Sequence, residues 1–235
     1  MTVEEMSDLF DVLLQVHTRT IDVNQIDPLA FDEYEKSVCL TDVQERFVVS
    51  CYNGKNNAGY QFEVTEEDRR LLDVLVNTDE ITEQCDDDGL VKWVPESKFY
   101  KLPDELMFIT YEQCTLSSDD SCINGSTASV FPVTQDDFWK TYKNPFRSHS
   151  DRRVLRLDAH GNIVELVSKN DISKYTVRYV RKPKPIVLTD LPDGLQINGF
   201  DKVQPCELPE QVHRRIVEAA VNMAIQRRSM NTSNK

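Results

Sequence analysis

The spacing of apolar residues changes twice along the chain, and that change limits the fold more than any other feature. Near both ends apolar side chains recur every three to four residues, as one face of a helix requires; in the middle they alternate, as a half-buried strand requires. At the start, Met6, Leu9, Phe10, Leu13, Leu14 and His17 share a helical face, with Thr2 and Glu5 placed as a capping box. Residues 29–52 predict a second helical region, broken near Thr41, which with Gln44 reads as a new cap. Val43, Phe47, Val48 and Cys51 follow as a stripe that Asn53-Gly54 stops. Thr65 opens a third helix with Leu71, Leu72, Leu75 and Val76 on its apolar side, and the acidic run 77–89 reads as a loop. Far along the chain, Pro209 starts a helix of about 208–226. Val212, Ile216, Ala219, Ala220 and Met223 line one side of it, flanked by Val217, Val221 and Ala224. Arg227-Arg228 close it, and 229–235 read as a polar tail.

Between these helices the residues are β-branched and aromatic. Strands are predicted at 90–94, 105–112, 153–158, 162–167 and 175–180, with Ala159-His-Gly161 as a hairpin turn. Residues 113–129 form either a long hairpin arm or an irregular loop. Residues 132–142 read as a short helical segment capped by Thr134, with Phe138, Trp139 and Tyr142 to one side. Lys182-Pro-Lys-Pro185 cannot supply a full hydrogen-bond ladder, so it ends the last strand as an exposed joint before Ile186–Leu188 resumes extended structure. The expected fold is α+β, terminal helices packed with a central antiparallel β-rich region. Its parts are an N-terminal helical region over 1–76, a β-rich region over 90–206 and a C-terminal helix over 207–228 packing back on the core. All three read as one interleaved domain.

No residue pattern specifies a catalytic, cofactor or metal site. The Gly-rich phosphate loops, HExxH and GxSxG are all absent. The four histidines, His17, His149, His160 and His213, are scattered, and Asp86-Asp-Asp88-Gly89 lacks the alternating ligands of a calcium loop. Of six cysteines without a CxxC, Cys39 and Cys51 sit among apolar residues and read as small core hydrophobes, and Cys114 with Cys122, in a polar stretch, is the nearest approach to a disulfide or metal pair. An enzyme assembled from dispersed Asp, His and Cys remains an alternative class. No stretch approaches a membrane span, and the acidic start is unlike a secretory signal.

The net charge of −13 is unevenly distributed: residues 1–120 sum to −19 and residues 121–235 to +6. This is either a solvated acidic face or electrostatic complementarity between neighbouring chains. On the 175–180 strand Tyr175, Val177 and Tyr179 share one face and Thr176, Arg178 and Val180 the other. Aromatic and basic residues on a strand suit either single-stranded nucleic acid or a protein surface, and the acidic whole favours protein. The interface candidates are Arg178, Arg181, Lys182 and Lys184, with Val217 and Val221 on the flank of the last helix. That flank meets either more of its own chain or a neighbouring subunit.

Four phrases in order carry a resemblance: Asp32 to Val38 leading to Gln44-Glu45; Asn144-Pro-Phe-Arg147 with Arg153-Val-Leu-Arg156; Tyr175 to Leu188; and Leu208 to Val217 followed by Ala219-Ala220. Together they resemble a virion structural protein of the crAss-like tailed bacteriophages, of the kind found in the rings between portal and tail. The resemblance implies a head–tail adaptor or collar ring protein with no catalytic residues and no cofactor. Its implied partners are copies of itself, twelve if they follow portal symmetry, together with the portal protein, other ring proteins and tail proteins. Packaged DNA would pass through the channel unread, and no membrane would be involved. The implied location is the head–tail junction of the virion, assembled in the bacterial host cytoplasm. The other reading is a non-enzymatic phage protein-binding module acting as a monomer or small oligomer.

Overall fold

The chain passes from one structural unit to a second and back. Met1–Leu75 with Pro183–Lys235 make the first unit, and Val76–Lys182 the second. The computed structural model describes residues 1–21, 30–53, 66–85, 90, 92–192 and 194–233. The fold class is α+β as expected, with terminal helices and a mixed, largely antiparallel sheet.

In the first unit, α1 (Val3–Ile21) begins with the expected capping box. Glu5 N donates to Thr2 Oγ1 at 3.2 Å and Thr2 N to Glu5 Oε2 at 2.8 Å. Met6, Phe10 and Leu14 are buried. Lys36 is buried too, and salt-bridged to Asp11 at 2.7 Å and Glu33 at 2.9 Å. Burial alone would push its ammonium pKa down; hydrogen bonds and charge from the two carboxylates outweigh it and hold the pKa above the ordinary lysine value.

The expected break at Thr41 is absent. α2 (Glu33–Tyr52) runs unbroken from a capping box between Asp32 and Glu35. The reason lies in three polar side chains on one helical face. Thr41 Oγ1 accepts from Ile186 N at 3.1 Å and donates to Ile186 O at 3.3 Å. Ser37 Oγ accepts from Leu188 N at 3.0 Å, and Gln44 Nε2 donates to Lys184 O at 2.9 Å. Residues 37, 41 and 44 therefore give the proline-interrupted run at 184–188 the partners it cannot find in a sheet. Thr41→Val keeps the shape and removes both bonds to Ile186. It should lower the unfolding free energy by about 1–3 kcal/mol, measured as a denaturant midpoint shift at constant slope.

The third helix is shorter than expected. α3 spans Glu66–Leu72 and a single 3₁₀ turn follows at Asp73–Leu75, so Val76 belongs to a strand; Thr65 lies outside the described residues. The described part of the 183–209 segment packs Val187, Leu191 and Ile197 with Tyr34, Val38 and Phe200. The last helix, α5 (Glu210–Ser233), starts just after Pro209 and continues past Arg228 into the expected tail. It packs on α1 and α2; Val212, Ile216, Val217, Ala220, Val221 and Ala224 are all buried, while Ala219 faces solvent.

The second unit is a seven-stranded sheet. Its strands are β1 (Val76–Ile81), β2 (Lys98–Lys101), β3 (Leu106–Ser117), β4 (Thr127–Pro132), β5 (Arg153–Asp158), β6 (Ile163–Val167) and β7 (Asp171–Arg181), in spatial order β1-β7-β3-β4-β5-β6-β2. All neighbours are antiparallel except β4 and β5. That parallel pair needs a crossover, and α4 (Phe138–Tyr142) sits in it. The sheet curls into a half-barrel around Tyr100, Leu116, Val154, Leu166, Tyr175 and Val177. Tyr100 on β2 meets Tyr175 on β7 with ring centroids 5.7 Å apart, and Cys85 N, just after β1, donates to Phe99 O at 2.9 Å.

Three local expectations are corrected here. Residues 76–81 are a strand and not loop, because their acids have cross-strand partners: Tyr179 OH donates to Asp79 at 2.8 Å and Lys174 pairs with Glu80 at 2.8 Å. Residues 86–89 of the same acidic run lie outside the described residues. The strand expected at 90–94 is not seen at its described residues, 90 and 92–94: Trp93 and Val94 enter a turn, and β2 follows at Lys98–Lys101. Buried Glu165 holds that turn, accepting from Trp93 N at 2.9 Å and from Ser97 Oγ. Thr134 occupies the cap position of its 3₁₀ turn without a side-chain cap bond. Of the two readings of 113–129 the hairpin arm is the one seen, since β3 runs on to Ser117 and pairs with β4.

Candidate assembly surfaces

A surface for other chains is built from side chains that a strand or helix holds outward. β7 does this for Arg178, which is exposed and lies opposite Tyr111 of β3 and Thr78 of β1. Around it on the outer face of the half-barrel stand Glu80, Lys174, Gln113, Ser129 and Phe131, a mixed charged and aromatic surface. Arg181 ends the strand half-buried, with Nη1 donating to Lys182 O at 3.3 Å. Lys182 and Lys184 are exposed on either side of buried Pro183. Lys184 Nζ lies 3.5 Å from Glu207, whose carboxylate also accepts from the Lys184 amide at 3.0 Å. Val217 and Val221 are wholly buried, so the flank of α5 meets its own chain.

The uneven charge is partly matched inside the chain. The two structural units carry net charges of −9 and −4, so neither is the basic partner that the sequence halves suggested. Ion pairs such as Asp42–Arg227 and Glu80–Lys174 join early acids to late bases.

Two groups of side chains were not foreseen. One is an aromatic cluster: Trp93, Phe138, Trp139 and Tyr142 meet at centroid distances of 5.2–6.3 Å, and His149 stacks on Tyr142 at 5.1 Å. Spacing put 138, 139 and 142 together; nothing in the sequence brought Trp93 to them. Beside α4 a cleft of about 430 Å³ is lined by Phe131, Pro132, Val133, Leu155, Arg147 and Arg153, among others. Arg153 lies over the Phe131 ring at 4.5 Å and donates to Phe146 O at 2.9 Å.

The other group is enclosed. Glu112 of β3, Arg156 of β5 and Tyr175 of β7 form a buried ion pair with a phenol donating to the carboxylate. Burial, and then the Glu112 charge, push the Tyr175 pKa far above its ordinary value, so the phenol stays a neutral donor. A carboxylate held this way is a structural tie. Among the described residues no group of three or more His, Cys, Asp and Glu is placed to hold a metal. None of the six cysteines is in a disulfide; Cys114 is buried and Cys122 exposed. Burial pushes the Cys114 thiol up to about 12.

Known proteins with the same sequence pattern agree on what such a body is. The family described as phage tail ring protein 3/4 matches residues 1–235. Ring protein 3 of Bacteroides phage crAss001 is 43% identical over 237 residues, covering 100% of both chains. Ring protein 4/5 of the same phage is 29% identical over 241 residues, covering 95% of this chain and 92% of the relative. With outward-facing charged and aromatic surfaces and a full-length match, the chain belongs to the phage tail ring protein 3/4 family, viral structural proteins of the crAss-like phages.

Proposed function

We propose that the chain is the subunit of a closed homo-oligomeric ring in the connector between portal and tail, at the head–tail junction of the virion. The observation that carries this is its end-to-end similarity to two ring proteins of one phage. The higher identity, 43% against 29%, supports a position equivalent to that of Ring protein 3. Twelve copies would match a twelve-fold portal, joined by heterologous contacts in which one face of a copy meets a different face of the next. Above and below, the ring would meet the portal, other ring proteins or tail proteins. A net charge of −13 supports DNA passing through without being gripped, since tight binding to phosphates needs an excess of Lys and Arg. Six cysteines with no disulfide among them support assembly in the reducing host cytoplasm. No helix among the described residues is long and apolar enough to cross a membrane.

Native mass spectrometry of the purified protein, alone and with portal, tests this directly. A discrete ring mass is expected; a chain that stays monomeric and ignores portal and tail proteins overturns it. Proteomics of purified particles should find the chain at ring stoichiometry. Its absence there would favour a monomeric or small oligomeric binding module.

The basic joint gives a second test. Changing Arg181, Lys182 and Lys184 together to Ser should weaken assembly several-fold at low salt and flatten its salt dependence, with little change in thermal midpoint. An assembly profile identical to wild type across salt concentrations counts against a role for this segment.

A further inference from the structure

The loop after α4 holds the most exposed large apolar side chain described. Phe146 is 88% exposed, yet its backbone is pinned. Its amide donates to Asn144 Oδ1 at 2.9 Å, its carbonyl accepts from Arg153 at 2.9 Å, and Arg147 N and Ser148 N donate to Asn144 O at 3.0 and 2.8 Å. A phenyl ring held out on a braced turn has little backbone entropy left to lose on contact, which is what an anchor residue needs. Beside it lies the cleft with apolar walls from Phe131, Val133 and Leu155 and two guanidinium groups, Arg147 and Arg153. The acid in that lining, Asp137, is paired with Lys140 at 3.0 Å. The chemistry that fits is aliphatic and negatively charged.

The same chain displays that chemistry on α1. Glu5, Asp8, Val12 and Val16 fall within one narrow arc of the helix, opposite the buried line of Met6, Phe10 and Leu14. Val12 is 55% and Val16 56% exposed. Among the described exposed apolar residues these two alone lie four apart on one helix with acids in the same arc. We propose that the cleft bounded by Phe131, Arg147 and Arg153, with Phe146 at its side, receives the outer face of α1 from a second copy, Asp8 meeting Arg147 and Val12 meeting the apolar wall. This rests on the homo-oligomeric reading above and names its contact. The contact is heterologous, a helix face into a cleft, so each copy keeps one of each free for the next neighbour.

The test uses the full-length chain with Asp8→Arg, Arg147→Asp and Phe146→Ala, its fold checked by circular dichroism and its self-association by analytical ultracentrifugation. Each single variant should weaken association at least about tenfold. Mixing the Asp8→Arg and Arg147→Asp chains should restore it, because each cleft then faces a helix of opposite charge. Wild type that associates while all three variants associate equally well overturns this contact and leaves the ring standing. Singles that fail without rescue on mixing overturn α1 as the occupant. A wild-type chain that remains monomeric at high micromolar concentration and with portal present overturns the ring reading and the contact together.

Discussion

Ile216→Asp and Val221→Asp should both abolish soluble folded protein, and to the same degree. Ile216 is 1% exposed and Val221 is fully buried, on adjoining lines of one helix that packs against α1 and α2. A carboxylate at either place takes a charge out of water, and its burial costs several kcal/mol against a total stability of about 5–15 kcal/mol. The two lines differ in how the sequence reads them, since a flank of valines and alanines suits a neighbouring subunit as well as a core. Solvent-facing Ala219 supplies the control: Ala219→Asp changes the same helix by the same charge and should leave folding intact. The measurements are the soluble fraction on expression and far-ultraviolet circular dichroism. A Val221→Asp chain that folds as a monomer but no longer assembles would place this flank at an intersubunit contact and refute its internal packing.

Arg156→Ala should be nearly as damaging, by another route. Arg156 and Glu112 have side chains only 10% and 6% exposed, and Arg156 Nε also lies 3.1 Å from Asp158. Removing the guanidinium leaves the Glu112 carboxylate buried with the Tyr175 phenol as its remaining donor. Breaking a buried pair in this way costs about 3–5 kcal/mol, a drop of roughly 10 °C in thermal midpoint for a chain of this size. Replacing both charges by apolar groups of similar volume, Glu112→Leu with Arg156→Met, should recover most of the loss. If Arg156→Ala is as stable as wild type, the pair is not holding the half-barrel.

These residues mark where the sequence was and was not legible. Helix existence was readable because caps and apolar spacing are local: Thr2 with Glu5 at the start of α1 behaves as its spacing predicts. The continuity of α2 through Thr41 was not legible because the hydroxyl answers to Ile186, far along the chain, and a polar residue within a helical stripe looks the same whether it starts a helix or bridges to another segment. The acids at 79 and 80 looked like loop because their partners, Tyr179 and Lys174, are visible only in the strand register. For the surfaces, the exposure of Arg178 was legible from strand alternation. Phe146 was not, because a loop phenylalanine gives no sign in sequence of facing water or core. The burial of Val217 and Val221 depended on which helices cover α5, and periodicity alone carries no such information.

The path of the chain between its two units sets an order of events during synthesis. The first unit is discontinuous: α1 and α2 are made early, but the helix that packs on both, α5, and the 184–188 run that α2 hydrogen-bonds come only after the whole of Val76–Lys182. The half-barrel can close while its successor is still inside the ribosome, since its strands pair among themselves. The helical unit cannot. A nascent chain stalled after residue 182 would carry α1 without the surface that fixes its orientation. A contact made through a correctly presented α1 would therefore wait until translation has passed α5.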